Sequence, residues 1–352
     1  MEQPQLPHGG DWAGFAAEYG SLPLDFSANI SPLGVPQGVK AALAGAAGAV
    51  DRYPDPLCRA LCDAIAAAEG VPPQAVLCGN GAADLIFRAV LAKRPRKALV
   101  TAPTFAEYEN ALRTAGCRVV RYPLCAEGAL RLGEDFLRAI TPDVEMVFLC
   151  EPNNPTGLTT PRPLLLRVLA RCRAVGALLV VDECFNDFLD DPAAHSLKAE
   201  LARGGNLLIL KAFTKLYAMA GVRLGYCLCA DAALPAALHA AGQPWAVSSL
   251  AQAAGLAALR ETGYVQAVRA LLAAERPWLA AALETLGLRV LPGEANYLLF
   301  ACGTPLLEPL RRRGILLRSC ANYAGLDGAW YRTAVRTHAE NVRLAAAIRE
   351  VL

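Results

Sequence analysis

Short apolar runs recur at a regular interval through the first two thirds of the chain. They fall at Val76–Cys78, Ala98–Thr101, Arg118–Tyr122, Val144–Cys150, Ala177–Val181, Leu207–Leu210 and Leu224–Cys229. Between them lie stretches with helical periodicity, such as AADLIFRAVLAK, PTFAEYENALRTAG and PLLLRVLARCRAVG. Near-continuous apolar strands alternating with helices predict a mainly parallel sheet of about seven strands covered on both faces. Ahead of this block, residues 1–34 are rich in Gly, Pro and polar positions and read as an arm, with a short helix around Asp11–Tyr19. Two Ala-rich helical patterns follow over 35–69, split by the turn DRYPDP at 51–56. From Ser248 to Leu286 the pattern turns helical. Residues 288–352 then predict short strands at Arg289–Leu291, Ala295–Phe300, Ile315–Arg318 and Tyr331–Val335, and a last helix at Ala339–Leu352. The expected organisation is therefore an arm (1–34), a large α/β domain (35–247), and a linking helix with a small α+β domain (248–352).

A chain of 352 residues suits two domains, and its 55% hydrophobic and 19% charged fractions are those of a compact globule. A formal charge of +2 gives no reason to expect nucleic acid or a membrane surface as partner. The 12 cysteines include no CxxC pair, and those in apolar contexts (Cys150, Cys227, Cys229) read as reduced, buried thiols. No His cluster accompanies Cys58 and Cys62, so no metal is expected. MEQPQLPHGGDW lacks a basic start followed by an apolar block, and no apolar run approaches the roughly 20 residues of a membrane span. A cytoplasmic protein is the expectation.

The candidate chemistry centres on NLLILKAFTKLYAMAGVRLGY, residues 206–226. An apolar strand ends in a turn holding Lys211, Thr214 and Lys215, and Arg223 follows a short loop later. An amine there can form an imine with an aldehyde, while the hydroxyl and guanidinium hold a phosphate. That is the layout of a pyridoxal-phosphate site, although two solvated lysines on a surface turn would read the same in isolation. Three further stretches bear on the choice. CGNGAAD (78–84) places free backbone amides (Gly81, Ala82, Ala83) at the start of a helix, where a phosphate is favoured, but a plain strand-to-helix turn looks alike. EPNNPTG (151–157) fixes a rigid turn after a buried strand, where α/β proteins bind ligands, and Asn154 is placed to donate to a phenolate. ALLVVDECFNDF (177–188) ends its strand in Asp182. A buried carboxylate needs a partner, either a structural salt bridge or a protonated pyridine nitrogen.

The order and spacing of these elements resemble the class I/II aminotransferase family of pyridoxal-phosphate enzymes, fold type I. Within it they resemble the branch of histidinol-phosphate aminotransferases and the threonine-phosphate decarboxylases of cobalamin biosynthesis. The resemblance runs nearly end to end, and HGGD (8–11), DFSANISPLG (25–34), RYPDP, GNGAADLI (79–86), APTFAEY (102–108) and NYAGL…YRTAVRT lean to the decarboxylases. It implies that Lys215 carries the cofactor, that Asp182 meets the pyridine nitrogen and that Asn154 bonds the phenolic oxygen. Phe105 would stack on the ring. Gly81, the amides of Ala82 and Ala83, Thr214 and Arg223 would hold the cofactor phosphate. Tyr53 would reach the phosphate of a neighbouring subunit, so a homodimer is implied. Arg332 would grip the substrate carboxylate, and Arg336, Arg318, His8 and Asn29 are candidates for the rest of a phosphorylated amino acid. Phe185 stands where histidinol-phosphate aminotransferases carry a tyrosine, and Ala83 and Ala212 where relatives often carry hydroxyls. Each missing hydrogen bond is worth about 1 kcal/mol of cofactor binding.

The expected reaction is decarboxylation of a substrate like L-threonine O-3-phosphate to aminopropanol phosphate. The alternative is transamination of histidinol phosphate or a similar amino acid. A cofactor-binding transcriptional regulator would need a winged helix before residue 35, where no room is expected, and the near-neutral charge does not favour it.

Overall fold

The computed structural model describes residues 8–124, 130–229, 231 and 233–352; the first seven residues of the arm lie outside them. Strand β1 (Leu24–Asp25) lies in the arm. The strands β2 (Val76–Gly79), β3 (Lys97–Ala102), β4 (Arg118–Pro123), β5 (Met146–Cys150), β6 (Leu178–Asp182), β7 (Leu207–Ala212) and β8 (Gly225–Cys229) form a seven-stranded sheet in the order β2-β8-β7-β6-β5-β3-β4. All seven apolar runs of the sequence are present as strands. Pairing is parallel throughout except that β8 runs antiparallel to both β2 and β7.

Both faces of this sheet are buried, and the strands show it residue by residue. Val147, Leu149, Leu179, Val181, Leu207 and Ile209 face one core, which the helix Arg162–Val175 and the Ala-rich helices Arg59–Glu69 and Ser249–Ala258 cover. Their neighbours Met146, Phe148, Leu178, Val180, Leu208 and Leu210 face the other core, with the helices Ala82–Lys93, Ala106–Thr114 and Ala233–Ala240. Period-two alternation with apolar residues on both sides is what a doubly covered sheet requires.

The remaining strands are β9 (Arg289–Val290), β10 (Tyr297–Ala301), β11 (Ile315–Leu316), β12 (Arg318–Ser319) and β13 (Trp330–Ala334). A four-stranded antiparallel sheet runs β12-β13-β10-β9 and shares its own core with the helices Thr262–Thr285 and His338–Val351. The single strand expected over 315–318 is in fact two. β11 pairs in parallel with β1 of the arm, and after Leu317 β12 joins β13. The helical stretch after Ser248 is likewise two helices, Ser249–Ala258 and the 24-residue Thr262–Thr285. Among the described residues no helix is long and apolar enough to cross a membrane.

The strand ends gather along one edge of the sheet, and five of them lead into a residue singled out by the sequence. β2 runs into Gly81, β3 is followed by Phe105, β5 by Asn154, β6 ends on Asp182 and β7 precedes Lys215. A buried ion cluster pins the end of β7. Lys211 Nζ lies 2.8 Å from Asp187 Oδ1 and 3.4 Å from Glu69 Oε1. Glu69 also takes Lys198 Nζ at 2.7 Å and the Tyr226 hydroxyl at 2.5 Å. Burial alone would raise the Glu69 pKa. The charges and donors of Lys211, Lys198 and Tyr226 outweigh it and hold this carboxyl at about 2.

The sign of that shift sets a test. A carboxyl depressed below its ordinary 4.5 contributes stability that is full above that value and lost as pH falls toward 2. Urea unfolding at about pH 6 and about pH 2 should show the wild type losing on the order of 2 kcal/mol more than Glu69→Gln. Equal acid losses in the two proteins would show that the cluster does not contribute in this way.

Candidate functional site

The strand ends enclose a cavity of about 110 Å³ whose lining includes Ala82, Ala83, Phe105, Asn154, Asp182, Thr214, Lys215 and Arg223. The structure thus gathers at one place residues that are up to 141 positions apart (82 to 223). Cys150, Cys184, Phe185 and Ala212 complete the wall.

The two lysines of KAFTK have different surroundings. Lys211 points into its carboxylate pair, and these charges overcome its burial to raise its pKa. Lys215 opens onto the cavity with its Nζ 5.8 Å from the centre of the Phe185 ring. Burial lowers its pKa first, and the guanidinium groups of Arg332 and Arg223 push the same way. An amine held toward its neutral form is the one able to attack a carbonyl.

Asp182 is buried and accepts the Tyr108 hydroxyl at 2.6 Å and the Cys184 amide at 3.0 Å. Burial and then the adjacent Asp182 charge push the Tyr108 phenol well above its usual range, so it stays a donor. Its ring stacks on Phe148 at 4.9 Å and meets Phe105 edge-on at 5.6 Å.

The phosphate end is built from backbone. Gly81 has φ +81°, and a Cβ there would stand 2.8 Å from Arg223 Nη2. A Cβ on Gly225 would stand 2.6 Å from the Ala82 nitrogen. Glycine at both positions lets the guanidinium, the start of β8 and the first amides of the helix Ala82–Lys93 converge, with no side chain capping that helix. Arg223 itself is left-handed at φ 60° and donates Nη1 to Ala220 O at 3.1 Å.

On the opposite side, Arg332 Nη1 donates to Asn154 Oδ1 at 2.5 Å and to the Tyr323 hydroxyl at 3.3 Å, and its Nη2 donates to Ser27 O at 2.9 Å. Its Nε is buried without a partner among the described residues. With its Oδ1 taken, Asn154 has its amide NH2 left for a cavity acceptor. Arg318 is the residue opposite Arg332 on the neighbouring strand and donates to Asn322 at 2.8 Å. Asn29 is buried, and among the described residues neither its Oδ1 nor its Nδ2 has a hydrogen-bond partner.

Three of the residues named from sequence stand in other company. His8 bonds Glu107 at 2.7 Å, and its ring lies 5.6 Å from that of Phe105. Arg336 is engaged with Glu340 at 2.7 Å and Asp25 O at 3.1 Å. Tyr53 is 79% exposed and stacks on Trp245 at 4.5 Å, away from the cavity lining. Tyr108 and Tyr323, which the sequence motifs do not single out, also belong to the site. They lie within APTFAEY and NYAGL, but nothing local reveals a hydroxyl's partner 74 or 169 residues away.

The family model described as aminotransferase class I and II matches residues 23–348. The chain belongs to this family. Pyridoxal phosphate is accordingly the cofactor of this class I and II aminotransferase-family enzyme. Two relatives span nearly its full length. Threonine-phosphate decarboxylase of Salmonella typhimurium is 41% identical, over 98% of this chain and 96% of that protein. A histidinol-phosphate aminotransferase of Desulfitobacterium hafniense is 36% identical, over 96% and 94%. The solved histidinol-phosphate aminotransferase of Sinorhizobium meliloti, in complex with pyridoxal-5'-phosphate, superimposes with a TM-score of 0.87 at 25% identity, covering 99% of this chain and 95% of that one.

The residues present fit such a cofactor. A depressed lysine, a buried carboxylate with neutral donors only among its described hydrogen bonds, and a glycine-walled amide cradle match its aldehyde, ring nitrogen and phosphate. Tyr108→Phe removes one hydrogen bond to Asp182 and keeps the stacked ring. It should lower kcat about tenfold with little change in KM, and shift the pH dependence of the visible absorbance of the bound cofactor. An unchanged absorbance titration would mean that Tyr108 does not tune Asp182.

Proposed function

We propose that this enzyme decarboxylates a phosphorylated amino acid of the threonine O-3-phosphate type, giving the amino-alcohol phosphate and carbon dioxide. The observation that carries the reading is the pairing of Arg318 with Arg332. These two buried guanidinium groups are direct neighbours across β12 and β13. The Arg318 pKa is lowered, by burial first and also by the charge of Arg332. Two cations brought together inside a protein suit a ligand with two anionic groups, here one carboxylate and one phosphate. Histidinol phosphate offers only the phosphate. The 41% identity to a threonine-phosphate decarboxylase supports the same reading.

In this site the bound cofactor supplies an aldehyde for the substrate amine and a cationic ring that takes up the electrons of the bond broken at Cα. Lys215 is the amine that would hold the cofactor's aldehyde, and it would supply the proton that replaces the departing carboxylate at Cα. Asp182, held in place by the Tyr108 hydroxyl and the Cys184 amide, would meet the ring nitrogen. Asn154 donates its amide to the ring oxygen while Arg332 fixes its orientation. Phe105 covers one ring face, and Thr214, Arg223 and the amides of Ala82 and Ala83 hold the cofactor phosphate. Arg332, with its unpaired Nε, takes the substrate carboxylate. Arg318 and Asn29 take the substrate phosphate, with His8 and Arg336 at the margin of that site. The bond that breaks is the one set perpendicular to the ring, so arginine placement decides between losing carbon dioxide and losing the Cα proton.

We also propose a homodimer in the cytoplasm. Tyr53 and Trp245, 79% and 44% exposed, form an apolar surface with Val50 and Leu57, and from it Tyr53 would reach the partner's cofactor phosphate. Eleven described cysteines are free and buried, as in a reducing compartment.

The deciding assay supplies O-phosphothreonine without any 2-oxo acid and measures carbon dioxide. Release is expected, and Lys215→Ala should abolish both release and the visible absorbance of the bound cofactor. If no gas appears while histidinol phosphate turns over with 2-oxoglutarate, the enzyme is a transaminase. Arg332→Gln should cut kcat/KM by on the order of 100-fold, about 3 kcal/mol for a lost charge-assisted pair.

A further inference from the structure

Three cysteines outside the catalytic cavity lie together under the phosphate cradle. Cys58 and Cys62 flank the first turn of the helix Arg59–Glu69, and Cys78 is the third residue of β2, three positions before Gly81. Cys62 Sγ and Cys78 Sγ are 3.7 Å apart, and Cys58 stands beside Cys78 as well. A metal does not explain the cluster, because among the described residues no group of three or more Cys, His, Asp or Glu side chains is placed to hold one. Simple core packing does not require three thiols in contact. A small cavity of about 20 Å³, lined by Cys58, Cys78, Arg88, His239 and Gln243, reaches the Cys58 and Cys78 side of the cluster. That space admits a molecule about the size of water.

We propose that Cys62 and Cys78 are an oxidisable dithiol, converted to a disulfide by a hydroperoxide, and that this bond loosens the phosphate cradle. The hydrogen bond between the pair holds Cys62 below the ordinary thiol range, while the bonds of Cys78 to Cys58 and Cys62, and its burial, push Cys78 well above. One sulfur of the pair attacks as its thiolate. It displaces hydroxide from hydrogen peroxide as the O–O bond breaks, becoming a sulfenic acid, and that hydroxide takes up the proton the thiol had lost. The other sulfur then attacks the sulfenic sulfur and expels hydroxide, which takes up the second thiol's proton and leaves as water. Two thiols are oxidised and one peroxide is reduced.

Closing the gap from 3.7 Å to the roughly 2.05 Å of a disulfide must move side chains in a packed core. Cys78 has little freedom, because it is locked in β2 opposite Tyr226, and the next residue, Gly79, is paired with Gly225. Displacement there passes to Gly81 and Ala82, which rest on Gly225 with no slack. The inference rests on the reading of this cradle as the cofactor-phosphate site, but formation of the bond itself does not.

The test treats the holoenzyme with hydrogen peroxide and maps peptides by mass without reduction. A Cys62–Cys78 linkage two hydrogens lighter is expected, reversed by dithiothreitol. Cofactor retained after ultrafiltration should fall in step, with affinity weaker by on the order of tenfold, as for one or two lost backbone hydrogen bonds. Cys62→Ser should keep basal activity and retain cofactor under the same peroxide. Absence of the linkage in wild type overturns the proposal, and a linkage formed with full cofactor retention overturns its coupling to the cradle while leaving the cofactor site itself untouched.

Discussion

Asp182 lies at the end of a central strand, 5% exposed, and its described hydrogen bonds come from the neutral donors Tyr108 and the Cys184 amide. Taking a carboxylate out of water is costly unless a cation joins it. The lysine one strand away does not serve, because Lys211 is committed to Asp187 and Glu69. The remaining lysine, Lys215, is held toward neutrality. The cavity thus sets a buried carboxylate group with neutral partners near an amine whose pKa is lowered by burial. A cationic aldehyde-bearing ring completes both, and the rest of the site is the framework that keeps these two groups apart and in register.

That framework is the mixed sheet. Because β8 runs antiparallel between β2 and β7, its first residue comes to the same edge as their last ones. Gly225 sits level with both Gly79 and Ala212, so Arg223 arrives at the amides of Ala82 and Ala83 from the far side. An all-parallel arrangement would carry that arginine to the opposite edge.

Lys215, Asp182, Asn154 and the glycine turn were legible because each belongs to a continuous strand-to-turn motif whose chemistry is local. The seven strands were legible for a similar reason, since short apolar runs separated by helical stretches specify a parallel sheet buried on both faces. What escaped was set by distance along the chain. The Tyr108 hydroxyl meets Asp182 only through the packing of a helix on the sheet, and Arg332 reaches Asn154 across 178 positions. The break between β11 and β12 was hidden because the apolar run Ile315–Leu317 leads straight into Arg318 and reads as one strand, and only the pairing of β11 with the arm separates them. The separate duty of Lys211 was not legible, since Glu69 approaches it from a helix 142 positions earlier (69 to 211).

The bond from Arg332 to Asn154 joins two recognition events that would otherwise be separate. In the proposed site the same guanidinium meets the substrate carboxylate and orients the amide that touches the cofactor's ring oxygen. Whatever charge arrives at Arg332 weakens its grip on Asn154 Oδ1 and so changes what Asn154 gives to the ring. Thermodynamic linkage makes such an effect mutual. Substrate affinity then depends on the ring's electronic state, and the ring senses an occupied carboxylate site before any bond at Cα is strained.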